Sequence, residues 1–333
     1  MDDLPPLRKV RLSLLHRLNC FLQLWTFKFL ATVYFFVRGF TSTTPPATRP
    51  TLVKFYPGQP NLECRLFFPP NYESGQKLPV YLNIHGGGFA VCDATIDDPF
   101  CSSWAVRTGM LVISLSYRKA PRYPFPCATH DVASLARAIL GDPGLPIDLD
   151  RVTIGGSSAG GNLALSAAQL PGLKGIVKAA ISYYPIVDFG HNPTYKLDAR
   201  PYRNGAKDNL GKASWCLDWG YVSAGQNRRD PLLSPCYARK EDLPPRIYLV
   251  AAQWDMLRLE AQEMIHCLAG LWDKVDQEEA FEQGNYKWTL AMGCSHGFTI
   301  NTGRGSGQSS HAQAKSEEIF TEAHEWLKKH ELA

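Results

Sequence analysis

Two glycine-rich strings, each closing an apolar run, constrain this 333-residue chain more than any other feature. His85-Gly86-Gly87-Gly88-Phe89 ends the β-prone run 79–84. Gly156-Ser157-Ser158-Ala159-Gly160 stands between a strand-like run at 151–154 and a helix-like one at 162–168. A strand that turns at once into a helix leaves little room at the bend, and glycine permits the sharp turn. Alternation continues along the chain. Runs 111–115, 179–184, 247–251 and 288–292 read as strands, while 131–140 and 163–170 carry helical periodicity. This alternation predicts an α/β domain whose largely parallel central sheet is flanked by helices on both faces.

The chemistry-bearing residues follow from those turns. A serine at the centre of a G-x-S-x-G turn is held above the sheet with its hydroxyl exposed, which makes Ser158 the candidate nucleophile. Ser157 lies off the central position and Ser166 lies within the predicted helix. A phosphate-binding turn is the competing reading, but no GK[ST] follows. The HGGG string offers backbone N–H groups that no side chain shields. Gly87 and Gly88, joined by the amide of Ala159, are candidates to hold an oxyanion, while His85 and Gly86 support that loop. Asp255 stands just beyond the run 247–251, where an acid can accept a hydrogen bond from an imidazole. Glu260 is its nearest rival, and its place in the first turn of the next helix predicts a capping or surface role. His296 follows the last strand-like run and is the candidate base.

Composition excludes several classes. A net charge of +4 from 35 basic and 31 acidic residues is too mild for a nucleic-acid partner. Nine scattered cysteines form no CxxC pair and no metal-ligand spacing, and the serine, histidine and aspartate chemistry read above needs no metal or organic cofactor. Their pattern fits buried free thiols in a reducing compartment, hence a cytoplasmic location. Cys294, two residues before His296, reads as a small core residue.

The first fifty residues allow two readings. Arg8, Lys9, Arg11 and Arg17 precede a strongly apolar, aromatic stretch at 20–37 that contains Lys28. This stretch is either a pair of amphipathic helices that cap the site or lie on a membrane, or a membrane anchor. Lys28 near its middle argues against spanning. Residues 41–50 read as a Thr/Pro linker, 51–333 as the main domain and 188–229 as an excursion above the sheet.

Taken together, these residues resemble the hormone-sensitive-lipase-like family of serine esterases, which has the α/β-hydrolase fold. The motifs that carry the resemblance run in order from about Leu78 to Phe298. They are HGGGF at 85–89, YRKAP at 117–121 with YPFP at 123–126, GGSSAGGN at 155–162, DPLLSP at 230–235, DMLR at 255–258 and HGF at 296–298. The resemblance implies a helical cap built from residues 1–50 and the insertion 188–229. It implies that Ser158, Asp255 and His296 form a catalytic triad acting on a hydrophobic ester or acyl substrate. Phe89, Trp215, Trp219 and Phe298 would line its pocket. A thioesterase, lactonase, formamidase or acyltransferase would use the same residues, and a non-catalytic receptor on the same fold is the remaining alternative. The chain departs from the family pattern at Ser157, where Asp is usual, and at Arg122, where Glu is usual. The acidic stretch 276–285 reads as an inserted loop.

Overall fold

The two faces of each central strand are sorted by period 2. Along β3 (Leu78–Ile84), Leu78, Val80, Leu82 and Ile84 enter one apolar core, while Tyr81 enters the other. A strand buried on both faces reads as a near-continuous apolar run, and the buried Asn83 of β3 is satisfied by donating to Asp97 Oδ2 at 2.8 Å. A computed structural model describes residues 12–41, 48–200, 208, 210–272, 279–300 and 309–333. Among them the remaining strands are β1 (Leu52–Tyr56), β2 (Gln59–Phe67), β4 (Leu111–Leu115), β5 (Ile147–Ser157), β6 (Val177–Tyr183), β7 (Arg246–Ala252), β8 (Ala280–Gln283) and β9 (Tyr286–Ala291). They form one sheet in the order β1-β2-β4-β3-β5-β6-β7-β9-β8. The six strands from β4 to β9 in that order are parallel. The outer pairings β1–β2, β2–β4 and β8–β9 are antiparallel.

Helices cover both faces. α3 (Cys127–Leu140), α4 (Ala159–Ala167) and α7 (Arg258–Ala269) pack into the core that receives Val80 and Leu82. In α3, Ala128, Val132, Leu135, Ala136 and Ile139 are buried, the stripe expected of a helix resting on a sheet. α2 (Asp98–Thr108) and the late helix α8 (Ser310–Lys329) cover the opposite face with Trp104, Phe320 and Trp326. The structure thus has the α/β architecture expected from the sequence.

Several local expectations need correction. Helix α3 begins at Cys127 rather than at 131, and α4 spans Ala159–Ala167 rather than 163–170. The stretch 276–285 is not simply a loop: β8 and its turn into β9 pair there, with 276–278 outside the described residues. Most of the Thr/Pro linker, 42–47, and the basic residues Arg8, Lys9 and Arg11 also lie outside them. The apolar N-terminal stretch is one helix, α1 (Leu14–Thr41), not a pair. No described helix is long and apolar enough to cross a membrane.

The excursion at 188–229 contains two short helices, α5 (Pro193–Asp198) and α6 (Ser214–Tyr221), with 201–207 and 209 outside the described residues. Helix α1 docks on α6 through a narrow stripe. Cys20 and Leu24 are buried. A Cβ on Gly220 of α6 would come within 2.5 Å of Leu24 Cδ2. The charge of Lys28 is turned into the protein, where Nζ donates to the carbonyls of Ala90 and Ala120 at 2.7 Å each. One cation thereby joins α1 to two loops that are far apart in sequence. Lys28→Met leaves both carbonyls without this donor. It is expected to lower unfolding free energy by about 1.5–3 kcal/mol, read as a shift in a guanidinium unfolding midpoint.

Candidate active site

The strand-to-helix turn is built on a close backbone approach. Ser158, the N-cap of α4, has φ +54° and ψ −118°, a strained conformation for a residue with a side chain. A Cβ on Gly156 would lie 2.2 Å from the Ile84 carbonyl oxygen, and one on Gly160 would lie 1.9 Å from it. Only glycine at both positions lets the turn rest on the end of β3. The Ser158 amide donates to Tyr183 O at 2.8 Å, which fixes the turn against β6 as well.

Three side chains separated by up to 138 positions meet above this edge. His296 Nε2 lies 2.9 Å from Ser158 Oγ. His296 Nδ1 lies 2.7 Å from Asp255 Oδ2. The other carboxylate oxygen of Asp255 accepts the Leu257 amide at 2.9 Å, and the residue is only 2% exposed. Two further bonds tie the acid loop to the histidine loop: Trp254 N donates to Cys294 O at 2.9 Å, and Gly293 N to Gln253 Oε1 at 2.7 Å. Burial by itself would lower the basicity of His296. The charge of Asp255 and its hydrogen bond outweigh burial, with a further contribution from Asp208, and the imidazole is held above its usual range. The arrangement can deprotonate a hydroxyl and stabilise the resulting imidazolium.

The HGGG loop turns sharply beside Ser158. Gly87 has φ +112°, and a Cβ there would come within 2.3 Å of Val91 O. Among the described residues, the amides of Gly87, Gly88 and Ala159 have no backbone carbonyl partner. Gly88 and Ala159 line the cavity at Ser158, whereas Gly87 does not. His85 is fully buried beneath the loop. Its Nδ1 donates to Gly86 O at 2.6 Å, its ring stacks on Tyr117 at 4.4 Å, and Lys119 Nζ lies 3.0 Å from Nε2. Burial and then the Lys119 charge push His85 well below its ordinary value, so it is a neutral strut. Burial also lowers Lys119, to about 7.

A cavity of about 510 Å³, its open mouth included, lies over Ser158. Its apolar walls include Phe89, Ile186, Phe189, Leu217, Met256 and Leu257. Phe89 stacks face to face on Tyr221 at 3.7 Å. The other three aromatic residues expected in the pocket are elsewhere. Helical geometry turns Ser214, Leu217 and Asp218 of α6 to the cavity and leaves Trp215 and Trp219 on the α1 side. There Trp215 meets His16 at 5.0 Å and Trp219 meets Phe21 at 6.2 Å. Phe298 is buried in the α8-side core, edge-on to Tyr184 at 5.5 Å. Cys294 is likewise a buried core residue.

Glu260 is a second correction. It is a buried partner, not a surface cap. It pairs with Lys196 Nζ at 2.6 Å and accepts the amides of Val187 and Asp188 at 2.9 and 3.2 Å. Burial pushes its carboxyl up to about 7, against the opposing charge of Lys196. Its partners lie more than sixty positions away in sequence, and no local signal announces them.

Sequence reasoning also missed Asp208. Its Oδ2 accepts the Met256 amide at 2.6 Å, next to Asp255, and its Oδ1 accepts Leu210 N and Gly211 N at 2.7 and 2.9 Å. Arg200 lies 3.8 Å away. The excursion is thus fastened to the acid turn through a buried carboxylate. The acidic side chain followed two residues later by backbone turns was the available signal, but its target was not.

A family model described as alpha/beta hydrolase fold matches residues 81–285. Esterase LipI of Mycobacterium tuberculosis (strain H37Rv) is 36% identical over 107 residues, 32% of this chain and 33% of that protein. Neutral cholesterol ester hydrolase 1 of Bos taurus is 34% identical over 148 residues, 40% of this chain and 36% of that protein. The match thus spans about a third of the length of each of these relatives. An esterase structure from Pyrobaculum calidifontis superposes with a TM-score of 0.70 at 23% identity, covering 97% of this chain and 100% of that one. That likeness is one of fold.

Gly160→Ala is expected to force the turn off the end of β3, at a cost of about 3 kcal/mol or more in stability, because its new methyl would overlap backbone rather than a movable side chain. Chemical denaturation beside wild type checks this.

Proposed function

We propose that this chain, which belongs to the α/β-hydrolase fold family and to its hormone-sensitive-lipase-like branch, is a serine carboxylic-ester hydrolase. The observation that carries the reading is the continuous hydrogen-bonded line from Ser158 Oγ through His296 to Asp255 at 2.9 and 2.7 Å. Ser158 Oγ attacks the acyl carbon of the ester as its proton passes to His296 Nε2. Asp255 holds the imidazole in the required tautomer and stabilises it once protonated. The amides of Gly88 and Ala159, with Gly87, receive the negative charge that develops on the acyl oxygen. The intermediate collapses and His296 returns its proton to the departing alkoxide. Water then attacks the acyl-enzyme, giving its proton to His296, and the acid leaves with Ser158 restored.

The apolar walls around Phe89, Leu217 and Met256 support a hydrophobic ester as substrate. Helix α1 and the α5–α6 excursion serve in this reading as the cap over that cavity. The nine cysteines, all unpaired, support a reducing compartment.

An acyl-chain series of p-nitrophenyl esters tests the assignment. Wild type should turn over at least one of them, and Ser158→Ala should lose about 10⁴-fold or more in kcat/KM. Full turnover by Ser158→Ala would sink the reading. The pH profile supplies a second test. His296 must be neutral to accept the proton, so kcat/KM should fall as pH drops through its raised value, above the ordinary imidazole range. Asp208→Asn removes a negative charge that favours the imidazolium, so the acid limb should move to lower pH. A purely structural loss would lower kcat at every pH and leave the limb in place.

A further inference from the structure

Among the residues of helix α1 whose burial is described, the covered ones are His16, Cys20, Leu24, Lys28 and Ala31, spaced by three or four residues. The residues between them face outward and are mostly apolar, with Arg17, Asn19, Gln23, Thr26 and Thr32 also exposed. Leu15 is 78% exposed, Leu22 55% and Phe29 66%, and these lie seven apart on one face. Leu18, Trp25 and Leu30 widen the same surface at 53%, 46% and 58%. A patch of this size and continuity on a helix marks a docking surface rather than ordinary scatter.

We propose that α1 docks in the plane of an anionic lipid bilayer surface, its outward face entering the headgroup region. Three observations favour lipid over other occupants. Apart from Lys28, residues 4–50 hold six arginines and lysines and no aspartate or glutamate, which matches a negatively charged surface. A second copy of the chain placed on this face would bring like charges together. No described helix is long and apolar enough to cross a membrane, so the helix lies on the surface instead of spanning it. Lys28 is compatible with this burial, because its ammonium points away from the exposed face into the Ala90 and Ala120 carbonyls. Trp25 supplies an amphipathic aromatic ring of the kind found at headgroup depth. Helix α6 separates α1 from the cavity at Ser158, so docking would place the cavity one helix layer from the lipid.

Flotation of the full chain with vesicles tests the proposal. Wild type should float with vesicles of phosphatidylcholine mixed with phosphatidylserine, and more weakly with phosphatidylcholine alone. The double variant Leu22→Glu with Phe29→Glu should reduce the bound fraction about ten-fold or more. Both side chains are exposed and outside the cavity, so its melting midpoint and hydrolysis of a short soluble ester should match wild type. Arg17→Glu gives an independent variant, expected to weaken binding to the mixed vesicles only. Failure of wild type to float with either vesicle overturns the proposal, as does equal flotation of wild type and the double variant. Conversion of a wild-type dimer to a monomer by the double variant, seen in sedimentation velocity, also overturns it in favour of a second copy. Binding is read directly, so absence of ester turnover would count against the proposed activity and leave this result intact.

Discussion

At Ile84 two backbones come so close that no side chain fits between them. The carbonyl at the end of β3 sits within 2.2 Å of where a Cβ on Gly156 would be, and within 1.9 Å for Gly160. That proximity sets the height of Ser158 above the sheet and the distance from Ser158 to the HGGG loop, because the loop continues directly from Ile84. The candidate oxyanion donors on one side and the hydroxyl on the other are thus positioned by one backbone contact. The parallel pairing of β3 with β5 delivers both ends to the same edge. Glycine has no helix or strand preference to recommend it here; its lack of a side chain is the whole reason for its presence.

Electrostatics at this edge are arranged as two separate problems. His296 is buried and would lose its proton readily, but the adjacent carboxylate of Asp255 reverses that tendency. His85 is buried beside the cation of Lys119 and is kept neutral. One imidazole is poised to gain a proton while the other serves as a rigid support, though both are histidines in loops at strand ends. The neighbouring charge decides between them.

The residues that could be read from sequence are those whose environment is local. Apolar runs gave the strands and their burial on both faces. Gly156 and Gly160 flank Ser158 within one turn, so the bend is visible in five letters. Other roles depended on distant partners. Glu260 reads as a helix-start acid until Lys196 of α5 is placed against it. Trp215 and Trp219 read as pocket aromatics until the facing of α6 is known, and α1 then claims them. Lys28 reads as a flaw in an apolar helix, yet it is where that helix is fastened. Asp208 was silent because its hydrogen bond to Met256 joins segments 48 positions apart.

The dihedral angles of Ser158 set two demands against each other. A residue with a side chain at φ +54° stores strain, of order 1–3 kcal/mol. Glycine would relax it without disturbing the turn. The chain keeps a hydroxyl there at the expense of its own folding free energy, so the most stable sequence for this backbone is not the one that carries the candidate nucleophile. Position 158 is where a sequence optimised for stability alone would first part from this one.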